Sequence, residues 1–246
     1  MSKQSGLGDN LYVGGYNLSG DVQAVGNVGG GHAVLDVTGI DKSAYERIGG
    51  IRDGRIEMTT FFNPASAHAH PVLSALPRTD VNVTYARGTA IGSPAASIVA
   101  KQVGYDGTRA ADGMFTFGVS AQANGYGLVW GQLLTAGLRT DTTATNGTGL
   151  DTTASASFGW SAFLHLTAFS GTNVTVAIED SADNVTYAAL TGGSFGALTG
   201  VGAVRIEGAS STTTVRRYVR AVTSGTFTSA TFAVVLHKGS DPGTVF

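Results

Sequence analysis

Apolar and polar positions along this chain repeat mostly with a period of two, the spacing of half-buried strands. Residues 55–62, RIEMTTFF, alternate polar and apolar from Arg55 to Met58 and read as a half-buried strand. Further strands are expected at 33–38, 81–87, 96–105, 114–121 and 127–134, with Asp106-Gly107 and Asp112-Gly113 as turns between them. Two segments read differently. Residues 41–48 predict a short helix with Asp41 as N-cap and Gly49-Gly50 as the stop. Residues 71–76 predict one or two helical turns opened by Pro71. In the second part of the chain, strands are expected at 161–169, 174–179, 204–207, 215–222 and 230–236, separated by turn clusters. Such spacing is that of a β-sandwich.

Two stretches lack this patterning. Residues 1–30 are glycine-rich, with only Leu11-Tyr12-Val13 as a short strand, and read as an extended N-terminal arm. Residues 140–157 are Thr, Ser, Gly and Ala with few large apolar side chains, and read as a linker. The expected organisation is therefore an arm (1–30), a β domain (31–139), a linker (140–157) and a C-terminal β-sandwich (158–246). The fold class is mainly β, a sandwich or barrel with one or two short helices, followed by the second sandwich.

Composition narrows the function classes. Among 246 residues there are 36 glycines and no cysteine, and only 13% of residues are charged. Without cysteine there are no disulfides, thiolate metal sites or Cys nucleophiles. The polar N-terminus has no apolar signal core, and no run of ~18 apolar residues exists to cross a bilayer. The net charge of −2 offers no basic face for nucleic acid or membrane. An ordinary surface is about 25–35% charged. A folded chain this poor in charge either buries surface against copies of itself or carries a hydroxyl-rich monomer surface, and composition leaves both open.

Catalytic motifs are absent or out of context. Gly192-Gly-Ser194-Phe-Gly196 matches G-x-S-x-G, but Ala197-Leu-Thr-Gly does not open a helix, and His237 precedes Asp241. His68 and His70 have strand spacing for one face but no third ligand nearby. His32, His165 and His237 are isolated. Residues 26–31 lack the dinucleotide spacing, and no phosphate-binding P-loop occurs. The expectation is no enzyme, no metal and no cofactor. Glu179, Asp180 and Asp183 are the densest acids, and Arg216, Arg217 and Arg220 are the one basic cluster. Salt bridges between subunits, the acids facing the arginines, are the expected use. An alternative is a sugar-binding patch of Trp160, Asp183 and Tyr187, since aromatic faces and carboxylates suit sugar rings.

Residues 35–64, LDVTGIDKSAYERIGGIRDGRIEMTTFFNP, resemble major tail (tail tube) proteins of long-tailed bacteriophages. The second part resembles the sandwich appended to such proteins, in FSGTNVTV from Phe169, DSADNVTY from Asp180, RRYVR from Arg216 and FTSATFAV from Phe227. The resemblance implies a virion structural protein, built in the host cytoplasm, whose usually hexameric rings stack into a hollow tube that conducts double-stranded DNA without binding it specifically. It implies partners among copies of the chain and other tail proteins, and no membrane. It also implies that the arm and a long hairpin bridge adjacent rings, with residues 87–109 expected as that hairpin. Arg52, Asp53, Arg87, Arg109, Arg216, Arg217 and Arg220 are the expected interface residues. A capsid or decoration protein of the virion, or a carbohydrate-binding protein, are the alternatives.

Overall fold

The computed structural model describes residues 5–240. Residues 1–4 of the expected arm and 241–246 of the expected C-terminal sandwich, Asp241 included, lie outside the described residues. The protein is almost all β, 60% strand and 2% helix. In chain order the strands are β1 (Asn10–Val13), β2 (Tyr16–Asn17), β3 (Val22–Asp36), β4 (Arg47–Phe61), β5 (Val81–Ala86), β6 (Pro94–Arg109), β7 (Phe115–Ala123), β8 (Val129–Leu133), β9 (Arg139–Asp141), β10 (Leu150–Asp151), β11 (Trp160–Ser181), β12 (Tyr187–Leu198), β13 (Gly202–Glu207) and β14 (Tyr218–Lys238). The helix α1 (Ala69–Leu73) lies between β4 and β5.

The first half closes on itself through β6. Its residues 95–100 pair with β5, and its residues 100–109 pair with β7, with a register shift between Gln102 and Gly104. One strand therefore serves two sheet layers. Leu11, Val13, Val83 and Ile98 from one layer pack against Ile56, Met58, Val119 and Ala121 from the other. The alternation of Ile56, Met58 and Thr60 follows directly from the two-residue period of β4.

The second half is built on β11 and β14, which pair along nearly their whole length. Trp160, Ala162, Leu164 and Leu166 point to one core with Val174, Val176, Ile178, Phe232 and Val234. Phe163 and His165 point the other way, toward the first half. Both faces of residues 160–166 are thus covered, which is why that run is buried without alternation. The two halves share one continuous sheet: β8 pairs with β6 at Pro94↔Gln132 and with β14 at Leu236↔Gln132. Tyr12, Ala86, Ala95, Leu133, Ala233 and Val235 form a small core across this junction.

Several expectations are corrected. Residues 41–48 are not helical: they span the turn between β3 and β4 and the first residues of β4. Val37 N donates to Glu46 O and Glu46 N donates to Thr38 Oγ1, closing the turn. An isolated eight-residue helix is too short to hold itself in water, and nothing packs against this one. Residues 22–30 are not an extended arm but the first part of β3, paired with β4. Leu11, Tyr12 and Val13 of the same expected arm are buried in β1, paired with β5. Residues 87–109 are not a projecting hairpin. Pro94–Arg109 is β6, and Ala95 to Ala100 are buried. The helical turns expected at 71–76 begin earlier, at Ala69. Residues 140–157 run along the second half: β9 and β10 both pair with β14, and Gly147 N donates to Ala221 O.

Candidate assembly surface

The longest projection is the β3–β4 hairpin. β4 pairs with β7 only from Arg55 to Phe61. Toward the turn, residues 47–54 of β4 pair with β3 alone, a two-stranded ribbon extending roughly 25 Å at ~3.4 Å per residue. Its root is set by close packing. A Cβ at Gly54 would stand 2.6 Å from Cβ of Leu128, and one at Gly30 would stand 2.9 Å from the same atom. Only glycine lets both strands cross Leu128.

The ribbon carries apolar side chains into solvent. Val34, Leu35, Val37, Ile40, Tyr45, Ile48 and Ile51 are all exposed, and Ile51 is 86% accessible. Lys42 lies 3.7 Å from both Asp41 and Glu46 at the turn. One edge of β3 has no partner strand among the described residues. An apolar two-stranded ribbon with an open edge is unfavourable in isolation and invites pairing.

A second apolar patch lies at the far end of the same strands. Phe61, Phe62, Phe115 and Met114 are exposed there. The Phe62 ring lies 5.5 Å from Phe115 and 4.7 Å from His70, and Tyr105 stacks on Phe117 at 4.1 Å. Beneath it, Asp21 receives Asn63 Nδ2 at 2.7 Å, Ala69 N at 2.9 Å and His68 Nδ1 at 2.9 Å. Burial alone would raise the Asp21 carboxyl, but these donors hold it below its ordinary value. The spacing of His68 and His70 thus serves packing: His70 Nδ1 lies 3.0 Å from Tyr105 Oη. Among the described residues no group of three acidic or imidazole side chains is placed to hold a metal ion.

The expected interface residues are scattered. Arg52 and Asp53 sit at the ribbon root, where Arg52 Nη2 donates to Leu128 O at 3.4 Å and Asp53 Oδ1 accepts from Gly54 N at 2.7 Å. Arg87 Nε lies 3.5 Å from Asp9, whose carboxylate also accepts from Tyr85 Oη. Arg109 ends β6, exposed and opposite Phe115.

The acid–arginine pairing foreseen between subunits is satisfied inside one chain. Arg216 Nε and Nη2 donate to Asp180 Oδ1 at 2.8 and 2.6 Å, and its backbone N to Asp180 Oδ2 at 2.8 Å. Arg217 forks onto Asp151 at 2.7 and 2.6 Å and holds that carboxyl down at about 2. Arg220 donates to Glu179 Oε2 and lies 4.0 Å from the Tyr187 ring centre. Because β11 and β14 pair with Glu179 opposite Arg220, the register itself brings acid to base.

The sugar-patch reading loses its platform. Trp160 is 0% exposed, a core residue. Asp183 caps its own turn, accepting from Val185 N and Thr186 N, which lowers its carboxyl. Tyr187 donates to Asn184 and is covered by Arg220. Ser194 lies in β12, with no helix after it.

A shallow groove of about 590 Å³ is lined by Trp130, Leu150, Phe158 and Lys238. Lys238 Nζ donates to Thr152 Oγ1 at 2.6 Å and to Ala154 O at 2.7 Å. Burial lowers this ammonium to about 8. The sequence drew no attention to this groove, and at the ribbon it drew attention to Arg52, Asp53 and the resemblance of residues 35–64 but not to the exposed apolar side chains. Exposed apolar residues in a segment read as helix carried no signal that they would face water.

The sequence matches no known family model and no curated protein. Solved structures with some likeness do exist. One is a chain of the virion of a native gene transfer agent, 13% identical with a TM-score of 0.43, covering 52% of this chain and 98% of that one. Another is the SPP1 Dit protein, described as a hub of the adsorption apparatus of phages infecting Gram-positive bacteria, 12% identical with a TM-score of 0.34, covering 93% and 99%. A third is a chain of the phage p2 baseplate in its activated conformation, 10% identical with a TM-score of 0.35, covering 94% and 98%.

Proposed function

We propose that the chain is a structural subunit of a phage tail, assembling with copies of itself into stacked, hexameric rings around a channel for double-stranded DNA. The observation that carries this reading is the β3–β4 ribbon. Seven exposed apolar side chains on a two-stranded projection need a covering surface, and an open strand edge runs beside them. The resemblance of residues 35–64 to tail tube proteins falls on this same hairpin. Low charge suits a surface covered by neighbours. With a net charge of −2 and its acidic and basic residues largely paired with each other, the chain offers no continuous basic lining to hold passing phosphates. The reading is tested by negative-stain microscopy of the purified chain over a range of concentrations and ionic strengths. Rings or tubes are the expected result; dispersed monomers throughout would count decisively against it.

A further inference from the structure

An asparagine followed by glycine exposes its side-chain amide to attack by the next peptide nitrogen, because glycine has no Cβ to shield that nitrogen. The chain holds two such dipeptides, Asn124-Gly125 and Asn146-Gly147. The fold treats them differently. Asn146 lies in the segment that runs along β14 and bridges to Val222. Gly147 N donates to Ala221 O at 3.0 Å, so this nitrogen is tied to a carbonyl and cannot turn onto the Asn146 side chain. The space around it is full: a Cβ at Gly147 would run into Arg139 Nη1 and Ala221 O. Asn124 and Gly125 follow β7 in an exposed turn. Nothing stands within 4 Å of the place a Gly125 Cβ would take, and Gly125 N makes no backbone hydrogen bond among the described residues. We infer that Asn124 is a site of spontaneous deamidation and that the fold protects Asn146 from the same reaction.

The step is intramolecular, and proximity supplies its acceleration. Gly125 N gives its proton to a solvent base and attacks Asn124 Cγ, so that a new N–Cγ bond closes a succinimide ring. The Cγ–Nδ2 bond breaks, and Nδ2 leaves as ammonia with a proton taken from water. A water molecule then opens the ring at one of its two carbonyls. One opening gives aspartate; the other gives isoaspartate, with the backbone rerouted through Cγ.

The product changes its surroundings. Asn124 Nδ2 donates to Asp80 Oδ1 at 2.9 Å, and Lys101 Nζ lies 2.8 Å from the same oxygen. Lys101 first, and Asn124 after it, hold the Asp80 carboxyl below its ordinary value. Deamidation replaces the amide donor by a second carboxylate, and two carboxylates then share one ammonium. The same turn runs on into Gly127 and Leu128. A Cβ at Gly127 would stand 3.1 Å from Arg52 Cβ, and Leu128 is the side chain to which Gly30 and Gly54 are fitted. The added charge, and the extra backbone methylene of isoaspartate, therefore fall on the turn that supports the ribbon root.

The two dipeptides serve as each other's control. The purified chain is held in dilute solution at mildly alkaline pH, and peptides spanning each site are followed by mass spectrometry, with the aspartyl and isoaspartyl forms separated by chromatography. Asn124 is expected to convert at least about tenfold faster than Asn146 in the folded chain. A more acidic species should grow in on anion exchange beside the position of Asn124→Asp, and Asn124→Gln should lack it. In guanidinium chloride the fold no longer distinguishes the sites, and the two rates should converge. Conversion of Asn146 as fast as that of Asn124 in the folded chain overturns the assignment. So does a folded Asn124 that stays intact while the denatured chain converts, or a difference between the sites that persists in guanidinium. The wild-type comparison needs no variant, so a misfolded Asn124→Gln leaves the test intact.

Discussion

His165 on β11 reaches across the junction between the two halves to Thr84 on β5, with Nε2 2.9 Å from Thr84 Oγ1. Thr84 Oγ1 lies in turn 2.8 Å from Ser97 Oγ on β6, and the Tyr12 ring packs 5.7 Å from the imidazole. His165 is wholly buried, and its Nδ1 has no hydrogen-bond partner among the described residues. A polar chain thus pins the halves together at a place otherwise filled by aliphatic side chains.

This makes stability depend on pH. Burial lowers the His165 imidazole from its ordinary 6.5 to about 3. The unfolded chain takes up a proton below pH 6.5, while the folded one refuses it until about pH 3. The contribution is therefore complete above pH 6.5 and declines as pH falls from 6.5 toward 3, by up to about 1.4 kcal/mol per pH unit. Thermal unfolding of the wild type between pH 7.5 and 4.5 should show a falling midpoint. His165→Gln should be less stable at pH 7.5 and show a flatter slope across that window. A wild-type slope no steeper than that of the variant would refute the assignment.

The root of the ribbon tolerates no side chain. Gly54→Ala places a Cβ against Leu128 Cβ and backbone N, both 2.6 Å away in the native arrangement. Backbone must shift to admit it, so a loss of about 1–3 kcal/mol is expected from overpacking. Gly31→Ala meets nothing within 4 Å and serves as the control. Chemical denaturation of the two variants should separate them clearly.

The three arginine pairs should not be equal. Asp180 is buried and holds Arg216 through four hydrogen bonds, so Arg216→Ala strands a buried carboxylate. A loss of about 2 kcal/mol is expected, less than for a fully buried pair because the guanidinium is partly solvated. Arg217 and Asp151 are each nearly half exposed, and Arg217→Ala should change stability far less. Equal unfolding midpoints for the two variants would contradict this ranking.

How much of this was legible in the sequence depends on what each residue packs against. The alternation from Arg55 to Met58 was legible because one face of β4 meets Leu11, Val83 and Ile98 while the other meets water. The long strands β11 and β14 were each read as two, because bulges at residues 166–173 break the period without breaking the pairing. β12 was missed: Gly192, Gly193 and Gly196 hide a strand that buries only Leu190 and Phe195 as large side chains. The ribbon was legible in part: residues 33–36, read as strand, lie in β3, whereas the residues on either side were misread. Its glycines suggested an arm and its Asp41 and Gly49 suggested a capped helix, while the register of β3 on β4 is fixed by contacts with β7 and Leu128, far away in sequence. Of the ion-pair members, Glu179, Asp180 and the three arginines were foreseen and Asp151 was not; the pairs form within one chain, and for Glu179 and Arg220 the β11–β14 register decides it.

The two tryptophans make that burial measurable. Trp160 is fully enclosed in the second core and Trp130 is 47% exposed at the rim of the groove. In Trp130→Phe, the remaining fluorescence should be blue-shifted and resist acrylamide. In the wild type a quenchable component should be present. Trp160→Ala should remove about 3–5 kcal/mol by leaving a large void among Leu134, Leu164 and Val234. Its effect on any sugar titration would therefore report unfolding rather than lost contact. Free acrylamide access to the tryptophan left in Trp130→Phe would place Trp160 at the surface and return the sugar patch to consideration.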